Sequence, residues 1–184
     1  MWNEKGLPML RARMSVLVGM ILFTAATRLL PHPPNLTPVM AIALFGGAFL
    51  TSNWAAFAVP ILAMALSDLF IGPDHLLPVV YFCILLTTCI GLLLRTRKSL
   101  VAVTAAALGS SVLFFVITNF GVWYFGPYYP HTAGGLVASY VAAIPFFQNT
   151  LVGTLGYSAV LFGGFYLAER LFPVLKETIH ELPA

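Results

Sequence analysis

Between Lys98 and Glu169 the chain runs seventy residues without an Asp, Glu, Lys or Arg. Ahead of Arg95 the charges thin to Glu4, Lys5, Arg11, Arg13, Arg28, Asp68 and Asp74. A water-soluble domain must cover its surface with polar groups, whereas a bundle whose solvent is lipid excludes them. The sequence therefore reads as an integral membrane protein, in which each remaining charge marks either a membrane boundary or a working site. The 184 residues are 60% hydrophobic and 8% charged. At roughly 20 residues per crossing helix, six spans would use almost all of them. The expectation is a single transmembrane domain over residues 1–184, an all-α bundle of six transmembrane helices. The net charge of +3 comes without a basic stripe interleaved with aromatics, which argues against a nucleic-acid partner. Cys83 and Cys89 lie six residues apart in one apolar run, toward opposite sides of a helix, and suggest no disulfide framework.

Breakers and caps divide the chain. Residues 1–11 read as a polar tail, and the first span, 12–30, reads as a retained helix rather than a cleaved leader. It ends at Pro31-His32-Pro33-Pro34-Asn35, where successive prolines remove donors and force extended backbone. Residues 37–50 form a second apolar segment, short for a span. The third covers 54–71 with Pro60 inside as a kink, the fourth 77–94, the fifth 99–124 and the sixth 148–172. Residues 125–147, rich in aromatics, glycine and proline, read as a long irregular loop. Pro173 opens a short amphipathic tail.

Orientation follows from the basic residues. An even number of spans puts both termini on one side, together with Lys5, Arg11, Arg13, Arg95, Arg97, Lys98, Arg170 and Lys176, leaving Arg28 alone on the other. That places both termini in the cytoplasm of a bacterial cell whose inner membrane the chain crosses. The connections on the outer side, 31–36, 72–76 and 125–147, carry the prolines, the histidines and the Tyr/Trp cluster, while the inner ones are minimal. Long irregular segments commonly serve as binding loops or lids, so the imbalance points to an outward-facing pocket.

Several residues could line it. Asp68, at the outer end of the third span, is expensive near hydrocarbon and needs a partner; it either hydrogen-bonds a ligand or pairs with Arg28. Arg28 neutralises an anionic group, ties down the first loop or snorkels to headgroups. Asn35 sits in that loop. Tyr81 and Cys83 lie within two turns of the start of the fourth span, where a thiol is either small apolar filler or a ligand for a soft metal. Asn119, Gln148 and Asn149 offer neutral carboxamides that suit a ligand or interhelical glue. Trp123 and Tyr128 belong to an aromatic set that forms either an interfacial belt or a stacking wall. Ser15 and Gly19, Gly46-Gly47-Ala48, Gly153 and Gly156, and Gly163-Gly164 permit close helix contact, internally or with another subunit. No Walker, HExxH, GxSxG or CxxC pattern occurs, so no catalytic residue or energy source is assigned.

Six spans with a short second segment and three elaborated outer loops resemble the S components of ECF-type (energy-coupling-factor) vitamin transporters. The passage Asn35-Leu36-Thr37-Pro38-Val39-Met40-Ala41 through Phe49 is similar to their first loop and second helix, and Pro60 through Ala65-Leu66-Ser67-Asp68-Leu69-Phe70-Ile71-Gly72 to the end of their third. Asn119–Trp123 and Pro145–Thr150 are also similar to a bacterial membrane-protein family known only as uncharacterised. The S-component resemblance implies a vitamin or cofactor held near the outer face under loops 31–36, 72–76 and 125–147. It also implies docking on a shared ATPase module through small residues of the first helix, with Ser15 and Gly19 standing where two alanines are usual. In the solitary, BtuM-like branch the cargo is cobalamin and a cysteine ligates cobalt, which makes Cys83 the candidate ligand here. The alternatives are a membrane-embedded enzyme using Cys83 and Asp68, or a non-catalytic assembly subunit.

Overall fold

Eleven residues form the axis of the molecule. In the computed structural model, which describes residues 6–72 and 74–176, every residue of the helix Val39–Phe49 is buried. It is the second of six: α1 (Gly6–Ala26), α2 (Val39–Phe49), α3 (Asn53–Ile71), α4 (Leu77–Leu93), α5 (Leu100–Phe125) and α6 (Ala133–Leu171). Tight turns at Thr27–Leu29 and Pro173–Leu175 follow α1 and α6. Among the described residues there is no strand. The fold is all-α, and α1 with its following turn, α3, α5 and α6 are long and apolar enough to cross a membrane. At 1.5 Å per residue, α2 reaches only about 16 Å, half of a hydrocarbon core of about 30 Å, while α4 approaches it.

The composition of α2 explains its place. It carries no charged or strongly polar side chain, so it can be surrounded on all sides. Small residues let its neighbours close in. A Cβ on Gly47 would lie 2.5 Å from the Thr88 carbonyl oxygen, and one on Gly91 of α4 would lie 2.5 Å from the Leu44 carbonyl oxygen. The two backbones therefore touch, as small residues permit in apolar bundles. Gly46 makes room for the Pro60 ring of α3, so Pro60 is buried in a helix contact as well as interrupting the ladder.

Two apolar clusters fill the interior. One joins Leu17 and Ile21 of α1, Phe45 and Phe49 of α2, and Phe162 and Phe165 of α6, with ring centroids 4.8–5.9 Å apart. The other gathers Val39, Met40 and Ala43 of α2 with Met64, Cys83 and Ile84. Outside, large apolar side chains face away from the protein, among them Trp54 (86% exposed), Leu69 (79%) and Phe23 (78%). Such a surface suits lipid and not water.

The structure corrects the sequence reading in three places. α1 begins at Gly6, so the tail expected over 1–11 is largely helix; residues 1–5 and 177–184, where the chain ends were expected to face the cytoplasm, lie outside the described residues. The loop expected over 125–147 spans only 126–132, and α6 starts at Ala133, running 39 residues through Pro145. The Thr132 hydroxyl caps it by accepting from the Gly135 amide at 3.1 Å. Gly135, Ser139 and Ala143 recur every fourth residue and are buried, giving this stretch a face narrow enough to lie on α5. Gly135 must lack a side chain, because the Pro130 carbonyl oxygen sits 2.0 Å from where its Cβ would be. Gly135 thus serves close packing and not a turn, and one missing amide at Pro145 is tolerated in an apolar helix. Third, the sixth span expected to begin at Gln148 is only the later part of this helix.

Candidate functional site

The end of the bundle that carries the loops 30–38, 72–76 and 126–132 holds a charged network across three segments. The turn after α1 delivers Arg28, the last turn of α3 delivers Ser67 and Asp68, and the second turn of α4 delivers Tyr81. Arg28 Nη1 donates to Asp68 Oδ1 at 2.8 Å and also to the Ser67 hydroxyl. Tyr81 donates its phenol proton to Asp68 Oδ2 at 2.8 Å, and Ser67 in turn donates to the Met64 carbonyl at 2.8 Å. The Arg28 and Asp68 side chains are 12% and 9% exposed. An ion pair this sheltered is sustained only when further hydrogen bonds occupy the remaining lone pairs, and Ser67 and Tyr81 supply them. Arg28 Nε alone is buried with no partner. Beside this network an apolar cleft of about 150 Å³ lies between α1 and α3, lined by Ala25, Leu29, Ala63, Leu66, Ser67 and Phe70 among others.

The other candidate residues fall elsewhere. Cys83 is fully buried among Val39, Met40, Ala43, Met64 and Ile84. A cobalt ion would have to displace that packing to reach the sulfur, so the site as built does not fit a cobalt ligand. Asn119 donates to the Phe115 carbonyl of its own helix at 2.7 Å. Trp123 donates from its indole to the Pro130 carbonyl at 3.0 Å, pinning the 126–132 loop. Tyr128 is 70% exposed on that loop, and Gln148 is exposed on α6. Asn149 donates to the Pro34 carbonyl at 2.9 Å and holds the first loop against α6, where Gly153 lets Leu36 and Thr37 approach closely. Asn35, exposed, takes the left-handed conformation at φ 64°, which asparagine tolerates better than most residues.

Apart from the buried Cys83 and the loop residue Asn35, the candidates divide into two groups. Arg28, Asp68 and Tyr81 meet on the α1–α3–α4 side. Asn119, Trp123, Tyr128, Gln148 and Asn149 belong to the α5–α6 side, and among the described residues α3 touches neither α5 nor α6. α4, with Tyr81, lies between, against both α3 and α5. The three loop histidines stay apart: His32 bonds the Leu30 carbonyl, His75 approaches Asp74 at 3.4 Å, and His131 packs beside Trp123. Among the described residues no group of three His, Cys, Asp or Glu side chains is placed to hold a metal ion. Ser67 was not singled out from the sequence; its signal was adjacency to Asp68, since a hydroxyl beside an intramembrane acid offers the arginine a second acceptor.

Residues 9–175 match the model of a family of unknown function, DUF6580, and the chain belongs to that family. No curated protein matches it, and no solved structure does.

Proposed function

We propose that this DUF6580 member is an uptake protein of the bacterial cytoplasmic membrane, working in the manner of an ECF S component. It would bind a vitamin or another small organic cofactor at its loop-bearing end. The reading rests chiefly on the Arg28–Asp68–Tyr81 network, which joins the ends of three segments through one carboxylate. A ligand that competes for Asp68 or for Arg28 releases the first loop from α3 and α4 together. A bistable polar contact of this kind gives a binding event a mechanical output. Before closure the ligand sees Arg28, Asp68 and Tyr81 on one side and the carboxamides Asn119, Gln148 and Asn149 with Trp123 and Tyr128 on the other. α4 is the element both sides share.

The loop-bearing end is assigned to the outside because, among the described residues, seven of the eight cations belong to the opposite end. Docking on an ATPase module is the natural source of energy, and the surface is compatible with it. Ser15 is exposed, and a Cβ on Gly19, Gly156 or Gly163 would meet nothing within 4 Å, so these small residues do no internal packing. The same observation favours the second reading, an assembly subunit that docks on a larger membrane partner.

The test is ligand-dependent thermal stabilisation of the full chain in lipid nanodiscs across a panel of vitamins, cobalamin included, repeated with Asp68→Asn. Stabilisation by one compound, lost in the variant, supports the proposal; no stabilisation by any compound removes it. Cobalamin bound through Cys83 would demand opening of the Val39–Met40–Met64 cluster. A cobalt–thiolate absorption band abolished by Cys83→Ala would reveal that opening.

A further inference from the structure

The apolar cleft between α1 and α3 adjoins the network of Arg28, Asp68 and Tyr81 and shares one residue with it. Ser67 lines the cleft, and its hydroxyl accepts from Arg28 Nη1. Every other lining side chain is hydrocarbon. Ala25 and Ala63, 3% and 1% exposed, form the floor, where their small size leaves the space. Leu22, Leu29, Leu66 and Phe70 form the margins and are exposed on the outside of the bundle, which faces lipid. The volume of about 150 Å³ falls below the roughly 300–1,000 Å³ of a pocket that encloses a whole drug-sized ligand, so the cleft takes one arm of a molecule. A polar arm there loses its hydration and finds only Ser67 in exchange, whereas a hydrocarbon arm loses nothing. Arg28 sets a requirement on the rest of that molecule. Among the described residues its hydrogen bonds run through Nη1 alone, and the buried Nε–H has no acceptor. An unpaired buried donor is costly, and an acceptor brought by a ligand offsets that cost. Asp68 already lies 2.8 Å from the same guanidinium. A second full negative charge there is opposed by the first, which favours a neutral carbonyl.

We propose that the ligand of this site is an uncharged amphiphile with an amide-like head and a short hydrocarbon arm. The head's carbonyl accepts from Arg28 and its N–H donates to Asp68, while the arm occupies the cleft between α1 and α3. The inference rests on the uptake reading above and narrows the chemical class of its ligand.

Thermal unfolding of the full chain in phosphatidylcholine nanodiscs tests it, with N-methylhexanamide as head plus arm and N-methylacetamide as head alone. Apparent affinity follows from the shift in midpoint with probe concentration, and the ratio between two proteins cancels partition of the probe into lipid. Ala26→Leu, at the exposed mouth of the cleft, fills it; Leu22→Trp is a second blocking variant, and Val160→Leu, exposed on α6, is the control. Unaltered midpoints without probe confirm that the variants fold. N-methylhexanamide should bind each blocking variant about tenfold more weakly than the wild type, the burial of about two methylene groups. N-methylacetamide should not distinguish them, and Val160→Leu should bind both probes as the wild type does. Equal binding of N-methylhexanamide to all four proteins overturns the proposal and leaves the cleft to the acyl chains of lipid. Tighter binding of hexanoate than of N-methylhexanamide overturns the neutral head. A vitamin that binds in an Asp68-dependent way, unaffected by Ala26→Leu and Leu22→Trp, removes this inference and leaves the uptake reading standing. If neither the vitamins nor the probes stabilise the chain, both fall.

Discussion

The two ends of this bundle handle charge in opposite ways. At the loop-bearing end one cation and one carboxylate close on each other, with a phenol and a hydroxyl completing their hydrogen bonds. At the basic end, among the described residues, cations outnumber carboxylates; Arg13 pairs with Glu169, and others meet backbone carbonyls or aromatic faces. Arg95 is the clearest case: Nε donates to the Gly47 carbonyl at 3.1 Å, Nη2 to the Leu50 carbonyl at 2.8 Å and Nη1 to Asn53 Oδ1 at 2.7 Å. It closes the C-terminal end of α2, whose last carbonyls would otherwise lack partners and whose dipole favours a cation there. One end is a closed contact in which cation and carboxylate neutralise each other. The other is a cation-bearing end at which Arg95 supports the central helix.

Both ends hang on the contact between α2 and α4, so breaking that contact should have the largest effect. Gly91→Ala places a Cβ against the Leu44 carbonyl, an immovable backbone atom, and should cost about 3 kcal/mol by overpacking. Thermal unfolding in detergent reads it, and an unchanged midpoint would mean that the two backbones are not in contact. Next comes the closed network. Asp68→Ala strands Arg28 in a sheltered site and should cost about 2–3 kcal/mol. Arg28→Ala combined with it should cost less than the sum of the two, and strict additivity in the double-mutant cycle would show that the residues do not interact. Arg95→Met tests the basic end and should lower stability by about 1–2 kcal/mol, the loss of charge-assisted bonds to a helix terminus. If it equals Asp68→Ala, the contrast between a closed pair and a capping cation disappears. Tyr81→Phe removes one hydrogen bond while keeping the ring, at about 1 kcal/mol; a larger loss would mean that the phenol holds more than Asp68. The smallest effect concerns accessibility. A membrane-permeant maleimide should label Cys89, which is exposed, and spare Cys83 until the protein unfolds. Labelling of Cys83 in the folded protein would show that its cluster opens and would restore it as a metal ligand.

Pairing of Asp68 with Arg28, one of two alternatives open in the sequence, rested on cost: a carboxylate near hydrocarbon needs a partner, and Arg28 was the cation available at that end. Tyr81 was chosen as a neighbour of Cys83 and proved to be a neighbour of Asp68, because a fixed spacing along α4 does not say which helix it faces. Residues 125–147 misled because glycine and proline are turn signals in water, whereas here Gly135 is a packing residue and Pro145 is carried within an apolar helix. That distinction depends on what lies opposite, here α5 and the Pro130 carbonyl.

The sequence by itself determined the class of protein: seventy residues without a charge admit only helices whose backbone satisfies itself in an apolar medium. It determined as well that a few ionisable residues would carry structural or functional weight, since each is costly there. Only the tertiary structure decided that α2 is wholly enclosed, that Arg13 finds Glu169 across 156 residues of chain, and that eight of the ten candidate site residues separate into two groups while Cys83 is packed in the interior. Hydrophobic content sets the solvent of a helix. Which helices meet is decided by shape, by where small residues allow backbones to touch and by which carbonyls are left for a distant cation to reach, and none of this has a fixed period along the chain.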